Sequence, residues 1–347
     1  MNRLRILHVI HSDAFAGVEQ FVRRLAIAQA VAHDVRVVGG APELMAPPLE
    51  AAGVRFRGSG RLPRLIGSVS AASSTVDVVN THMTAADLAS VVATFHRRTA
   101  PAIVATRHFS QRRGSTGPDA IYRLVERGID AEIAISKTVA DMIDVPSTVI
   151  YPGVEPLPQT PDDDRRPVAL IAQRLQPEKH TEVGLRAFAQ SGLAGAGWTL
   201  EVAGVGSDRA ALERLASELG IAVRFLGFRA DVPDLMRTSG ILLATSPFEH
   251  FGLTVLEAMA AGLPVVAARA GGHEEMLAGL EPRALYAPDD VAAAAECLRR
   301  LGADPHARAA LGDAQRARQA AHFTLSKQAS ATREAYRQAI RVRKGRE

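Results

Sequence analysis

The chain has 347 residues, of which 47% are hydrophobic and 22% charged, and its formal net charge is +4. This length accommodates two domains with separate cores, and the composition excludes a disordered or fibrous chain. The mild positive charge includes no basic run interleaved with aromatic residues, so nucleic acid is not an expected partner. A lone cysteine, Cys297, excludes an intrachain disulfide framework and is expected to be a small buried hydrophobic residue.

The N-terminus begins with a short basic and apolar segment that leads into a loop. This segment is too short for a signal peptide and is predicted to be a first strand. No stretch of the sequence reaches the roughly 18 uninterrupted apolar residues of a transmembrane helix. The chain is therefore expected to be a cytoplasmic enzyme, and a peripheral contact with the inner face of the membrane is left open.

The first half of the chain alternates short apolar runs with segments of helical period. The predicted strands are Arg5–Ile10, Asp34–Val38, Val76–Asn80, Ala102–Thr106 and Ala131–Ser136, and the predicted helices include Glu19–Ala30 and Ala85–Ala93. This alternation predicts a doubly wound parallel sheet, in which ligands bind at the carboxyl ends of the strands.

Several polar positions follow the ends of these predicted strands. The loop 11–19, which contains Gly17, leads from the first strand into the first helix and is expected to face a ligand. His82 and His108 each follow a strand, where an imidazole can donate to a sugar hydroxyl or to a leaving phosphate. The alternative for each histidine is a buried strand-end residue whose hydrogen bonds are satisfied within the protein.

The segment 55–66 mixes four arginines with apolar residues. It suits contact with anionic lipid or an acidic acceptor, but a solvated connecting loop is the preferred interpretation.

Residues 156–167, PLPQTPDDDRRP, are rich in proline and charge and predict a linker. We place a first domain at residues 1–156, the linker at 157–166 and a second domain at 167–325. The aspartates at 162–164 suggest a metal site. Their position in a linker beside Arg165 and Arg166 favours a solvated turn instead, and no metal is expected.

The second half opens with a predicted strand at Val168–Ala172. Arg174 and Lys179 flank the turn that follows it, where two cations can neutralise a diphosphate. The next strand leads into a glycine loop at Gly204. This loop is not a dinucleotide fingerprint, because Arg209 occupies the third glycine position and no acidic residue follows at the expected distance.

The stretch from residue 241 to residue 275 predicts a strand, a loop, a helix and a second strand. In such a βαβ unit the loop at 246–252 lies where ligands bind. Glu249 falls in the loop and Glu257 in the helix, and the first-turn amides of Phe251, Gly252 and Leu253 can receive an anion. Two glutamates at this spacing also fit a purely structural interpretation, in which they only favour the helix dipole.

Residues 249–267, EHFGLTVLEAMAAGLPVVA, resemble the E-x7-E signature of the retaining family-4 glycosyltransferases. The resemblance implies an α/β protein of the GT-B fold, with two doubly wound Rossmann-like domains facing across a cleft. It also implies that the last helix, within residues 326–347, returns to the first domain. By resemblance, Glu249 contacts hydroxyls of the donor sugar and Glu257 holds the nucleotide ribose.

Other segments extend the resemblance over most of the chain. Arg174 and Lys179 retain the charges of a family element that contacts the diphosphate, although Gln173 and His180 replace its glycines. Ala16-Gly17 stands where the family has paired glycines near the diphosphate. The remaining implied contacts are His108 near the transferred sugar, Gly204 in a donor loop, and Phe228 beside the base.

The implied reaction is transfer of a sugar, with retention, from a nucleotide-diphosphate donor to an acceptor hydroxyl, without metal or other cofactor. The acceptor is expected to be a glycan, a lipid-linked molecule or a small molecule, with His82, Arg112 and Arg113 of the first domain as candidate contacts. The alternatives are a sugar-nucleotide epimerase of the same fold, an NAD dehydrogenase, and a catalytically inactive module that binds a nucleotide sugar.

Overall fold

The computed structural model describes residues 3–95, 97, 99–111, 113, 119–143, 145–280 and 284–345. The chain forms two compact units, which are described separately below. The first comprises Met1–Gly153 with Leu325–Glu347, and the second comprises Val154–Thr324. Within the described residues, no helix combines the length and the apolar character needed to cross a membrane.

The strands of the first unit are β1 Arg5–Ile10, β2 Asp34–Val38, β3 Arg55–Arg57, β4 Val78–His82, β5 Ala102–Arg107, β6 Ala131–Ala134 and β7 Thr148–Val149. They form one sheet in the order β3-β2-β1-β4-β5-β6-β7, and neighbouring strands pair in parallel. The central strands β1, β4 and β5 are buried on both faces except at Arg5, as parallel sheets covered by helices require.

The helices of the first unit are α1 Gly17–Ala30, α2 Pro42–Ala51, α3 Leu62–Ser73, α4 Thr84–Thr94, α5 Asp119–Gly128, α6 Lys137–Met142 and, from the end of the chain, α14 Leu325–Lys344. Tyr336 of α14 is fully buried, and its hydroxyl donates to Asn80 Oδ1 of β4 at 2.6 Å. In addition, Gln328 Oε1 accepts the Gly153 amide at 2.8 Å. The last helix is therefore part of the core of the first unit.

The second unit contains β8 Arg166–Ala172, β9 Thr199–Ala203, β10 Val223–Gly227, β11 Ser239–Ala244, β12 Val265–Ala268 and β13 Leu285–Tyr286. Its sheet has the order β10-β9-β8-β11-β12-β13, again with parallel neighbours. Its helices are α7 Thr181–Ser191, α8 Arg209–Glu218, α9 Val232–Thr238, α10 Leu253–Ala260, α11 Gly272–Leu277, α12 Val291–Ala303 and α13 Pro305–His322.

Most predicted elements are confirmed with small shifts at their ends. The strands predicted at Arg5–Ile10 and Asp34–Val38 have the same limits in the structure, whereas β4 begins two residues later than predicted and includes His82. The helical breaks expected near residues 304 and 323 are also present. There Asp304 accepts the Ala307 amide as an N-cap, and Pro305 takes the first helical position, where its missing N–H is tolerated.

Two connecting segments differ in part from their predictions. The arginine-rich segment 55–66 is a loop only between edge strand β3 and α3, at residues 58–61, and Arg55 pairs with Asp34. The proposed linker 157–166 falls within the second unit, and although much of it is exposed, its end is anchored there. Arg165 is buried and donates to the carbonyls of Met236 and Ala261. Composition predicted solvation here because the partners of these charges lie far away in sequence.

Candidate active site

The loops that follow β8 and β11 bring Lys179 and Glu249 together. These strands are neighbours in the second sheet, so their carboxyl ends meet at one edge. Lys179 ends a short 3-10 turn after β8, and its Nζ lies 2.7 Å from Glu249 Oε2. Each side chain is 18% exposed, so the pair is largely shielded while remaining open to a ligand.

The charge of Glu249 is stabilised by its neighbours. Burial alone would raise its pKa, but the charge of Lys179 and its hydrogen bond more than offset this effect and hold the pKa of Glu249 below its usual range. Burial lowers the pKa of His273, whose Nδ1 donates to the Ala268 carbonyl at 3.1 Å. Glu249 is therefore a carboxylate at neutral pH, and His273 is a neutral ring with its lone pair on Nε2.

Gln173 and Thr245 fix the backbone of Lys179. The Gln173 amide nitrogen lies 3.1 Å from the Lys179 carbonyl and 2.9 Å from Thr245 Oγ1. Thr245 Oγ1 in turn donates to the Lys179 carbonyl at 2.7 Å. This network ties the Lys179 turn to the end of β11, so Gln173, which stands in place of a family glycine, has a positioning role of its own.

Close backbone approach shapes the Glu249 loop. The Gly272 amide donates to the Glu249 carbonyl at 2.9 Å, and a Cβ at Gly272 would lie only 2.2 Å from the Phe251 Cα. Gly252 has a φ of 99° and caps the start of α10, where a side chain would also meet His273. The loop is therefore held against α11, while the α10 start carries the Gly252 and Leu253 amides.

The other donor candidates of the second unit occupy the same edge of the sheet or its margin. Glu257 is half-buried on α10, and Phe251 is buried beneath the loop. Gly204 follows β9, and a Cβ there would lie 1.8 Å from the Gln173 carbonyl oxygen, so it allows two strand-end loops to touch. Phe228 follows β10 and is 66% exposed, which leaves its ring accessible to a planar ligand.

Arg174 and His180 have side-chain partners of their own. The Arg174 side chain is 65% exposed and pairs with Glu178 at 3.1 Å, so it lies near Lys179 in sequence but does not join the Lys179–Glu249 pair. His180 adopts a left-handed conformation with a φ of 45°, and its Nδ1 lies 2.6 Å from Asp289 Oδ1.

In the first unit, His108 and His82 belong to a buried row of histidines. His82 Nδ1 lies 3.0 Å from His108 Nε2, and His82 Nε2 lies 3.1 Å from His8 Nδ1. Gln29 Oε1 lies 2.8 Å from His8 Nε2 at the far end of the row. His8 was not singled out from the sequence because it occupies the middle of an apolar strand.

The other first-unit candidates have different surroundings. Gly17 is exposed at the first position of α1, where the Ala16 amide is already bonded to Glu19 Oε2 at 2.8 Å. Arg113 has a fully buried side chain that pairs with Asp87 at 3.0 Å and Glu132 at 2.8 Å. Its predicted contact with the acceptor is replaced by these structural ion pairs. Arg112 lies outside the described residues.

The carboxylates suggested for a metal have other partners. Asp162 forms an ion pair of 2.6 Å with Arg308 inside the second unit. Over the part of the chain that the structure describes, no group of three or more His, Cys, Asp or Glu side chains is arranged to hold a metal ion.

The chain has two parallel α/β units of Rossmann type, and the second carries an acid and cation pair at the ligand edge of its sheet. This is the architecture of GT-B proteins. The structure of Anabaena Alr3699/HepE in complex with UDP shares this fold, with a TM-score of 0.77 and 23% identity over 95% of this chain and 99% of that one.

Sequence comparison gives the family. Residues 157–318 match the family described as glycosyl transferases group 1, and residues 15–156 match glycosyltransferase family 4. The lipopolysaccharide core biosynthesis mannosyltransferase LpsB of Rhizobium meliloti (strain 1021) is 30% identical over 237 residues, covering 62% of this chain and 67% of that protein. This chain belongs to the group 1 glycosyltransferases.

A further relative is the 2-deoxystreptamine glucosyltransferase of Streptomyces kanamyceticus. It is 30% identical over 221 residues, which cover 59% of this chain. The matched region spans only 56% of that relative's length.

Proposed function

We propose that this protein is a retaining glycosyltransferase that takes a sugar from a nucleotide-diphosphate donor and transfers it to an acceptor hydroxyl. The observation that carries the proposal is the Lys179–Glu249 pair, with a separation of 2.7 Å, beside the start of α10. It combines a cation for phosphate, a carboxylate for sugar hydroxyls and helix-start amides for an anion at one sheet edge.

The proposed mechanism assigns each group to a charge that develops during transfer. Glycosyl transfer passes through an oxocarbenium-like state, while negative charge accumulates on the departing phosphate. Lys179, Arg174 and the Gly252 and Leu253 amides stabilise that phosphate, and Glu249 orients the sugar through its hydroxyls. The departing phosphate assists deprotonation of the acceptor, so the mechanism needs no enzymic nucleophile.

The nucleotide contacts are assigned to neighbouring elements of the second unit. Glu257 is proposed to bind the ribose hydroxyls, and Phe228 to border the base, with Gly204 shaping the loop between them. In the first unit, His108 is proposed to bond a sugar hydroxyl, and Gly17 to present its amide to the diphosphate. The names of the relatives and the UDP complex of the structural neighbour support a nucleotide sugar as donor and a glycan, lipid-linked or small-molecule acceptor.

A thermal-shift panel tests the proposed donor site directly. UDP, GDP, ADP, dTDP and NAD are added separately at high concentration, and a ligand at 100 times its dissociation constant stabilises the folded protein by about 2.7 kcal/mol. We expect a shift with one nucleoside diphosphate and none with NAD. A response to NAD alone, or to none of the five ligands, would contradict the proposal. Transfer assays with the matching nucleotide sugars then distinguish a transferase from an epimerase, which needs no acceptor, and from an inactive binding module.

Glu257→Ala is expected to weaken binding of the nucleoside diphosphate by roughly 10- to 100-fold. The reason is the loss of charge-assisted hydrogen bonds of about 1.5–3 kcal/mol to the ribose. Isothermal titration calorimetry with the nucleotide identified above measures the change. Glu274→Ala, at an exposed carboxylate paired with Arg269, is the matched control and should leave the affinity unaltered. Equal affinities for Glu257→Ala and the unmodified protein would remove the ribose assignment.

Treatment with a chelator is expected to leave the transfer rate within about twofold of the untreated rate. Lys179 and Arg174 supply the positive charge that a divalent ion provides in metal-dependent transferases. The measurement is release of nucleoside diphosphate after extensive dialysis against EDTA. Loss of activity that Mg²⁺ or Mn²⁺ restores would overturn metal independence while leaving the donor site itself in place.

A further inference from the structure

The buried histidine row of the first unit ends at Gln29. The orientation of the Gln29 amide follows from the hydrogen bonds of two residues, Asn80 and Tyr336. Asn80 Nδ2 donates to the Val104 carbonyl and to Thr106 Oγ1, both at 2.9 Å, so Asn80 Oδ1 is turned toward Tyr336. The Tyr336 hydroxyl donates its only hydrogen to this oxygen at 2.6 Å. The phenol oxygen can therefore only accept further hydrogen bonds.

The Gln29 amide lies beside this phenol. Burial raises the pKa of Tyr336, and the neighbouring Gln29 amide partly offsets the rise. An amide oxygen facing the phenol would meet lone pairs, whereas the amide nitrogen brings hydrogens. The amide nitrogen therefore faces the phenol, although Gln29 Nε2 makes no hydrogen bond within distance limits to the described residues. In this orientation Gln29 Oε1 points to His8 Nε2, at 2.8 Å.

The histidines next to Gln29 are neutral. Burial lowers the pKa of His8 to about 4 and that of His82 well below its usual range, so each ring carries a single hydrogen at neutral pH. Because Gln29 Oε1 only accepts, the hydrogen of His8 must be on Nε2. His8 Nδ1 then accepts from His82 Nε2, and His82 Nδ1 accepts from His108 Nε2.

We propose that Gln29, His8 and His82 are positioning residues that fix His108 as its Nε2–H tautomer, with the lone pair on Nδ1. Phe21 packs edge-on against the His108 ring, at 4.8 Å between centroids and 88° between planes, and restrains its rotation. In this tautomer His108 Nδ1 can only accept a hydrogen bond. The inference rests on the proposed function only for the role of His108 toward a hydroxyl.

The tautomers are measured directly by long-range ¹H–¹⁵N correlation spectra of the full chain labelled with ¹⁵N-histidine. We expect the hydrogen on Nε2 for His8, His82 and His108. His33 is an internal reference, since its Nδ1 accepts the Leu4 amide at 3.2 Å and its hydrogen is therefore also on Nε2. A His108 hydrogen on Nδ1 in the unmodified protein overturns the inference, and this measurement needs neither a variant nor activity.

Gln29→Met removes the acceptor at the end of the row with little change in volume. We expect His108 to become a mixture of tautomers while His33 does not change. In the transfer assay we expect kcat to fall roughly tenfold, the rate equivalent of about one hydrogen bond, with the donor KM retained. Gln338→Met, at an exposed position of α14, is the matched control and should change neither readout.

The outcomes separate the inference from the proposed function. Altered tautomers with reduced kcat support the positioning role. Altered tautomers with unchanged kcat overturn that role, although the protein is still a transferase. If no donor is turned over by the unmodified protein, the proposed function fails, while the tautomer assignment is still decided by the spectra.

Discussion

Glu249→Gln is expected to lower the rate of sugar transfer by roughly 100- to 1,000-fold, which corresponds to about 3–4 kcal/mol of transition-state stabilisation. The substitution keeps the size of the side chain but removes the charge that pairs with Lys179 at 2.7 Å. The carboxylate is assigned to the sugar and not to the nucleotide. Affinity for the nucleoside diphosphate should therefore remain within about threefold, a small energy on the scale of one hydrogen bond.

The measurements for Glu249→Gln are single-turnover transfer and calorimetric binding of the nucleotide. Glu178→Gln is the matched control, because Glu178 lies on the neighbouring turn in an exposed pair with Arg174. It should retain nearly full activity, since exposed ion pairs contribute little. If Glu249→Gln lost nucleotide binding as well as transfer, the sugar role would be wrong and Glu249 would belong to the diphosphate site.

Arg113→Met is expected to destabilise the first unit by about 3–5 kcal/mol, the range for removing one member of a buried ion pair. The substitution leaves Asp87 and Glu132 buried without their shared cation. Burial already raises the pKa of both carboxyls, and Arg113 is the main charge that opposes this rise. In the variant these carboxyls are expected to take up protons.

Urea unfolding followed by circular dichroism measures the free energy of unfolding of Arg113→Met. Arg55→Met provides the matched control in the same unit, because Arg55 forms an exposed pair with Asp34 and its loss should change stability by less than about 1 kcal/mol. Equal stability of the two variants would show that the Arg113 network is not structural. The acceptor role for Arg113 would then regain support.

Sequence reasoning predicted most elements of the fold because their signals are local. Buried β-branched runs and capped helices are visible within a window of a few residues, and the Glu249 and Glu257 spacing lies on one loop and helix. The polar surroundings of the candidate site were less visible. Gln173, Thr245 and His273 reach Lys179 and Glu249 only through the order of strands in the sheet, which no single segment encodes.

The same limitation explains why the surroundings of two charged residues, Asp162 and Arg113, were misjudged. Asp162, expected in a solvated turn, pairs with Arg308, which is 146 residues away, and Arg113, expected to contact the acceptor, pairs with Asp87 of α4 and Glu132 of β6. A charged run is solvated by default, and only long-range partners convert it into a buried network. Composition alone therefore predicts exposure to solvent.

The insertion of α14 into the first unit has a consequence for synthesis on the ribosome. Tyr336 and Gln328 supply the partners of Asn80 and of the Gly153 amide, yet they follow the whole of the second unit in the chain. At roughly 5–20 residues per second, the ribosome needs about 10–40 s to add the intervening segment. During that interval the nascent first unit lacks its final helix, so the unit translated first is the last to complete its core.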